Sequence, residues 1–392
     1  MKRERPWVVI GNPENRRVRL FQQALARQGQ PPARVVSYVE LITSIDALCD
    51  VLPHAIVRID SPGENFEVEK LLLIAGEAAA ATERGPVLSE QHIRQMPFDR
   101  GLVINPRQWY LGFVRLLTQL QTFFDSRRDL HVCNSPTEII QMFDKVVCHE
   151  LCLHAGISVP QRLPAVTCFD ELLAAMEQRN FRRVFVKLAH GSSASGVVAL
   201  HRSRNRLEAI TSAEIVRGPA ETRIYNSLKI RRYTDLEDVR TLIETLLPHR
   251  VHVERWLPKA ALGRRVCDLR AVVIGGQPRQ MVVRTSRTPL TNLHLGNRRG
   301  DLALLRKLVP TAEWAAVEHT CRLAAARFPR SLQLGLDILL TPGFREHFLL
   351  EINAFGDLLP NILDRGQDCY DSQVAAVWES IASSRDYRHG GD

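Results

Sequence analysis

The sequence has no apolar run long enough to cross a membrane as a helix. After a basic start (Lys2, Arg3, Arg5), its first apolar run spans only 7–10, far shorter than a signal-peptide core. The eight cysteines form no repeated CxxC pattern, so no disulfide framework is predicted. Cys148 and Cys152 lie four apart with His149 and His154 beside them, but no second ligand cluster follows. Small buried thiols on one helix are therefore expected there rather than zinc. Internal repeats, low-complexity tracts and a Walker-type GxxxxGK(S/T) loop are absent, and no Ser-His-Asp or Cys-His arrangement stands out. A soluble, cytoplasmic protein is the expectation.

What is present is a chain of 392 residues, 45% hydrophobic and 24% charged. That size and balance exclude global disorder and suit two or three packed units. The net charge of +9 favours an anionic partner such as a polyphosphate, an acidic substrate or nucleic acid. Its basic residues fall in scattered pairs (Arg16-Arg17, Arg231-Arg232, Arg264-Arg265, Arg298-Arg299), which argues against nucleic acid.

The hydrophobic pattern predicts an α/β chain. Strands are expected at 7–10, over ARVVSYVEL and over HAIVRID, with helices near 18–28, 68–82 and 110–125. Asp60, Glu64 and Asn65 follow the third strand, where a substrate contact competes with an ordinary turn or helix cap. After LHVCNSP, Ser135 or Thr137 reads as the N-cap of one helix running to Gly156. Strand, loop and strand follow over 182–200. Residues 203–248 hold alternating polar material and then a helix pattern, LEDVRTLIETLL. VHVERWL reads as a strand, DLRAVVIGGQPRQMVVRT as a hairpin turning at Gly275-Gly276, and 311–328 as a helix. A final strand pair and a helix over 371–383 precede a tail, RHGGD, expected to fray.

Two features carry chemistry. Lys187 ends a strand and leads into HGSSASG, a loop whose free backbone can turn N–H groups toward phosphate oxygens. Far downstream, LQLGLDILL carries Asp337, and HFLLEINAFG carries Glu351 and Asn353 at the period-two spacing of one strand face. Charges in such apolar strands need compensation, either from arginine or from a hard cation. Two carboxylates and an amide oxygen suit magnesium.

Together these residues resemble the ATP-grasp enzymes, most closely the branch of ribosomal-protein glutamate ligases and glutathione synthetases. The resemblance covers about 131–365 and rests on short motifs in a fixed order. It implies an N-terminal pre-ATP-grasp domain (1–130), a central and lid subdomain (131–252) and a C-terminal subdomain with the magnesium site (253–392). NSP at 134–136, Asp144-Lys145 and GISVP look like the start of the fold, with Lys145 on the α-phosphate side. Lys187 matches the second nucleotide lysine. His190, Gly191, Ser192, Ser193, Ser195 and Gly196 match the mobile loop over the β- and γ-phosphates. Glu254, Arg255, Trp256 and Leu257 sit where the family's hinge bonds adenine through its backbone. Asp268 falls on the ribose side. Arg284, Arg270 and Asn292, the last in a segment resembling NLHxGG, are the expected catalytic groups. Asp337, Glu351 and Asn353 match the metal set for two Mg2+ ions, which Mn2+ can replace.

The implied reaction joins a carboxylate to an amine or other nucleophile at the expense of ATP, through an acyl-phosphate. A kinase acting on a hydroxyl and a non-catalytic nucleotide-binding scaffold are the rival readings. The nucleophile can be small or a peptide, and an acidic peptide would suit the basic chain. Three departures bear on substrate: a long interval at 203–248 that looks like a lid insertion, Asn297 in place of the second glycine of NLHxGG, and Ala354-Phe355-Gly356-Asp357 in place of a Pro-Gly turn.

Overall fold

A computed structural model describes residues 5–191, 194–204, 206–218, 222–355, 359 and 361–389, with side chains as far as residue 382. Three sheets divide the chain. The first is parallel, in the order β2 (Arg34–Val36), β1 (Trp7–Ile10), β3 (Ile56–Ile59), β4 (His131–Val132). Every residue of β1 and β3 is buried, as befits strands covered on both faces. Their helices are α1 (Arg16–Arg27), α2 (Tyr38–Thr43), α3 (Phe66–Ala80), α4 (Glu90–Gln95) and α5 (Pro106–Ser126). Helices α3 and α5 cross at a glycine pair. A Cβ on Gly76 would lie 2.0 Å from Gln108 O, and one on Gly112 would lie 1.8 Å from Leu72 O.

The strand expected over ARVVSYVEL is only half there. Ser37 accepts from Glu40 N while Glu40 accepts from Ser37 N, a capping box that starts α2 and ends the strand at Val36. The single helix expected after Asn134 is two, α6 (Pro136–Phe143) and α7 (Lys145–His154). Asp144 breaks them apart because its Oδ1 captures Val146 N and Val147 N in an extended conformation. Ser135 occupies the N-cap of α6, but its hydroxyl bonds Gln121, as does that of Thr137.

The second sheet is antiparallel, in the order β8 (Thr222–Tyr233), β7 (Leu207–Arg217), β6 (Val198–Arg202), β5 (Arg183–Leu188), β9 (Val251–Arg255). It is backed by α8 (Phe169–Gln178) and α9 (Leu236–Leu246), which close a separate hydrophobic core. The stretch 203–248 is thus a long hairpin plus α9, and the hairpin extends this sheet outward.

The third sheet runs β13 (Arg298–Arg299), β12 (Gln277–Ser286), β11 (Arg265–Ile274), β14 (Gln333–Leu340), β15 (His347–Asn353), with β10 (Ala261–Leu262) added on β11. The β11–β12 turn is Gly275-Gly276, both at positive φ. Helices α10 (Leu302–Leu308) and α11 (Thr311–Arg327) cover one face. Helix α12 (Cys369–His389) packs against α1 near the other. The core under α3 and α5 is continuous with this third sheet and includes Met142, Cys148 and Cys152. The second sheet therefore meets the rest as a body with its own core. Among the described residues no helix is long and apolar enough to cross a membrane. The residues Gly390, Gly391 and Asp392 of the tail lie outside the described residues, as do Gly356 and Asp357.

Candidate active site

The space between the second and third sheets collects charged side chains from seven elements. Lys145 opens α7, where the Asp144 break points it across the gap. Its Nζ lies 2.5 Å from Gly191 O and 3.1 Å from Glu351 Oε1. Lys187, on β5, places Nζ 2.5 Å from Glu254 Oε1 on β9. Glu254 is buried and the Lys187 side chain is 12% exposed, and His252 Nε2 holds the other oxygen of Glu254 at 3.0 Å. Burial alone would raise the Glu254 carboxyl, but Lys187 and His252 hold it at about 2. The same pairing, with Glu351 nearby, raises Lys187 despite its burial.

On the third sheet the strand register sets a row of charge across one face. Arg284 opposes Asp268, Arg270 opposes Asp337, and Asp337 opposes Glu351. Arg284 Nε lies 2.8 Å from Asp268 Oδ1, and Arg284 Nη1 and Arg270 Nε both lie 3.1 Å from Asp337 Oδ1. Burial works against the Asp268 charge, but Arg284 and Lys259 hold the carboxyl well below its usual range. Burial raises Asp337 against Arg270 and Arg284, with Glu351 adding to the rise. Burial opposes ionisation of Glu351 too, yet Lys145 and Lys187 carry it below the ordinary value. The two acids thus sit at different protonation propensities a single strand apart.

The donor set fits magnesium. Asp337 Oδ1 is buried without an aligned hydrogen bond, Glu351 stands directly opposite, and Asn353 is two residues on, facing the same way. The Asn353 amide donates to Gly335 O at 3.4 Å, which leaves its carbonyl oxygen as an acceptor. Among the described residues no three His, Cys, Asp or Glu side chains converge on one point. An ion here would accordingly draw its remaining ligands from water and phosphate oxygens, as magnesium at nucleotide sites does.

Other expected residues fall differently. His190 turns away from the Gly/Ser loop toward α5. It is buried against Tyr110, ring centroids 3.8 Å apart, with Nε2 3.3 Å from both Asp144 Oδ2 and Arg107 Nη1. The stack on Tyr110 covers its ring, and burial depresses it to about 4. Gly191 takes the Lys145 contact, and a Cβ on Gly196 would press to 2.8 Å from Leu188 Cδ1. Ser195 is half-buried, while Ser192 and Ser193 lie outside the described residues. Along the hinge, Arg255 N and Trp256 N already donate to Gln161 O and Arg183 O. Among the described residues Leu257 N–H has no backbone acceptor. The Trp256 ring packs 5.5 Å from Phe185, and the Arg255 side chain turns out over Phe181. Asn292 begins the 3-10 turn Leu293–Leu295, whose Leu295 joins Leu290, Phe185 and Ala199 in a small apolar cluster bridging the sheets. Asn297 explains its departure from glycine: its amide donates to Leu290 O and Asn292 O and closes that loop.

Asp60 and Asn65 serve the first sheet and its helices. Asp60 pairs with Arg58 at 2.8 Å, Asn65 caps α3, and Asn15 reaches Glu64 at 3.4 Å. Sequence reasoning missed Lys259, a buried lysine 2.8 Å from Asp268 Oδ2 and 2.7 Å from Thr291 Oγ1. It also missed His252 and the Arg107–Tyr110 contact to His190. Only the burial of Lys259 marks it out, and a lone lysine in a Pro-Lys-Ala connector carries no such signal.

No protein-family model and no curated protein matches the sequence. In three dimensions the chain is similar to the ATP-grasp ligase PsnB complexed with a phosphomimetic variant of minimal precursor, Mg and ADP. The identity is 15% and the TM-score 0.51, covering 96% of this chain and 99% of that one. It is similar to D-alanine–D-alanine ligase from Bacillus anthracis complexed with ATP, at 13% identity and TM-score 0.52, covering 98% and 99%. It is also similar to the macrocyclase MdnC bound with precursor peptide MdnA from Microcystis aeruginosa MRC, at 13% identity and TM-score 0.52, covering 95% and 99%. These likenesses extend over nearly the whole chain, and the fold implied by the ordered motifs is the one observed: the protein has the ATP-grasp fold.

Proposed function

We propose that the protein is an ADP-forming ligase that joins a carboxylate to an amine or another nucleophile. The observation that carries this reading is that Lys145 pairs with Glu351 at 3.1 Å, Glu351 stands opposite Asp337, and Lys187 feels the charge of both acids. In the unit borders we propose (1–130, 131–252 and 253–392), these four residues come from the second and third units. Lys145 and Lys187 now spend their charge on Glu351 and Glu254, and a polyphosphate would take over part of that pairing.

The reaction proceeds in two displacements. A carboxylate oxygen of the substrate attacks the γ-phosphorus of ATP, the bond to the β–γ bridging oxygen breaks, and ADP leaves with those electrons. The nucleophile then attacks the acyl carbon, its C–O bond to phosphate breaks, and phosphate departs while the nucleophile loses a proton. Arg284 and Arg270, each 3.1 Å from Asp337 Oδ1, stabilise the charge of the transferred group. Asp268 and Lys259 hold Arg284 in place. Asp337, Glu351 and Asn353 would hold magnesium, which supplies charge neutralisation between the β- and γ-phosphates. Two ions, with Mn2+ as a substitute, are proposed. The second sheet, with its own core, is the body that would close and exclude water from the acyl-phosphate.

We further propose a peptide as one co-substrate, since two of the similar structures are complexes with a precursor. The eight free cysteines accord with a reducing cytoplasm. The test is ADP release over a matrix of carboxylates and nucleophiles, peptides included, with product masses read directly. A ligase releases ADP and phosphate only when both co-substrates are present and gives a condensed product. A stable phospho-product with one co-substrate would identify a kinase and overturn the proposal.

A further inference from the structure

At the end of β12 opposite Arg284, beside α10 and α11, lies a cavity of about 350 Å3 that the nucleotide chemistry does not use. Four arginines line it (Arg279, Arg306, Arg322 and Arg365) against two acids, Glu318 and Asp364. The acids neutralise the arginines poorly. Arg279 Nη1 is 3.7 Å from Asp364, Arg322 Nη2 is 3.5 Å from Glu318, and Arg306 rests over the Trp314 ring at 4.9 Å. Arg279 Nε is buried with no hydrogen-bond partner, and Arg365 has no ion pair among the described residues.

Two backbone irregularities aim these side chains. The β11–β12 register shifts so that Arg279 and Gln280 stand opposite Val272 alone, a bulge at the arginine. Bulges recur where a side chain must be redirected toward a site. Arg365 and Gly366 form a two-residue turn closed by Asp364 N to Gln367 O at 2.9 Å and Gln367 N to Asp364 O at 3.0 Å. Both have positive φ, 51° and 79°. Asparagine or aspartate is the residue such a turn prefers in the first position, and arginine is strained there. Strain retained at a solvent-facing arginine that lines a basic cavity points to use of the guanidinium.

We propose that this cavity binds a small free oxyanion of the phosphate class, inorganic phosphate or pyrophosphate. Guanidinium groups offer paired N–H donors that match phosphate oxygens, and two unbalanced positive charges suit a polyvalent anion. The proposal is independent of the ligase reading, because none of its residues belongs to the site between the sheets.

The experiment titrates the full chain with sodium phosphate and with sodium pyrophosphate, by calorimetry and by thermal unfolding. Wild type is compared with Arg365→Asn, with the Arg279→Gln Arg322→Gln double variant, and with Lys187→Ala. Saturable binding in wild type is expected, weakened at least tenfold in the first two variants and kept in Lys187→Ala. Without anion, Arg365→Asn is expected to melt higher by about 1–3 °C, because asparagine relieves the left-handed strain. A tighter response to one anion than the other identifies which of the two the site holds. Any of four results overturns the proposal: no saturable binding in wild type; arginine variants that titrate like wild type; sodium chloride at equal ionic strength reproducing the effect; or all binding disappearing in Lys187→Ala while the arginine variants keep it.

Discussion

Replacing Lys187 with alanine removes the cation from a buried pair and leaves its anion behind. Glu254 is 2% exposed and receives Lys187 Nζ at 2.5 Å. Its carboxyl falls from an ordinary 4.5 to about 2, with burial opposing and Lys187 and His252 driving the change. About 2.5 pH units at roughly 1.4 kcal/mol each amount to ~3.5 kcal/mol. That matches the 3–5 kcal/mol lost on average when one member of a buried ion pair is deleted. His252 stays at 3.0 Å and retains part of the compensation, so Lys187→Ala should lose about 2–3 kcal/mol at pH 7.5 in urea unfolding. The sign with pH follows from linkage. Because the folded value lies below the unfolded one, this stabilisation is complete above pH 4.5 and disappears as pH falls through about 2. The gap between wild type and variant should therefore narrow below pH 4.5, and adding Glu254→Gln should recover much of the loss. A variant as stable as wild type at pH 7.5, or a gap unchanged down to pH 3.5, would refute the reasoning.

His190 gives a second pH signature. Burial holds it at about 4 instead of 6.5, so it stabilises the fold when neutral and loses that contribution as pH falls from 6.5 through 4. The loss is about 3 kcal/mol, and His190→Phe, which keeps the stack on Tyr110, should flatten stability across that window in unfolding curves at stepped pH. Gly112→Ala should cost about 3 kcal/mol or prevent folding, read by circular dichroism melting, because its Cβ would lie 1.8 Å from Leu72 O on a rigid helix.

The parts of the fold that were legible in the sequence are those with a local cause. The apolar run at 7–10, the Gly275-Gly276 hairpin and the alternation ending at Glu351 and Asn353 each fix their own geometry. The misreadings share one physical origin, a polar side chain that outcompetes the hydrophobic pattern. Ser37 and Glu40 end a strand by capping each other, and Asp144 splits an otherwise continuous helix by taking two amide protons. Residues 203–248 hid a hairpin because its outer strand, β8, lies at the sheet edge and is largely exposed or half-buried. At the site, ligand-type residues in ordered motifs were visible, whereas their supports were not. Lys259, His252 and Arg107 act across 9, 2 and 83 residues on Asp268, Glu254 and His190. Such long-range or accidental neighbours leave no spacing to read. His190 sits within a recognisable loop motif, yet a pocket beside Tyr110, 80 residues earlier, decides its position.

The central claim is that Lys145, Lys187, Asp337 and Glu351 form one magnesium-dependent ATP site. Calorimetric titration of wild type and Glu351→Ala with a non-hydrolysable ATP analogue, with and without Mg2+, tests it most directly. Wild type should bind one equivalent, at least tenfold more tightly with Mg2+, and Glu351→Ala should lose that enhancement while melting as a folded protein. Absence of binding by wild type, or the same Mg2+ enhancement in Glu351→Ala, would contradict the claim.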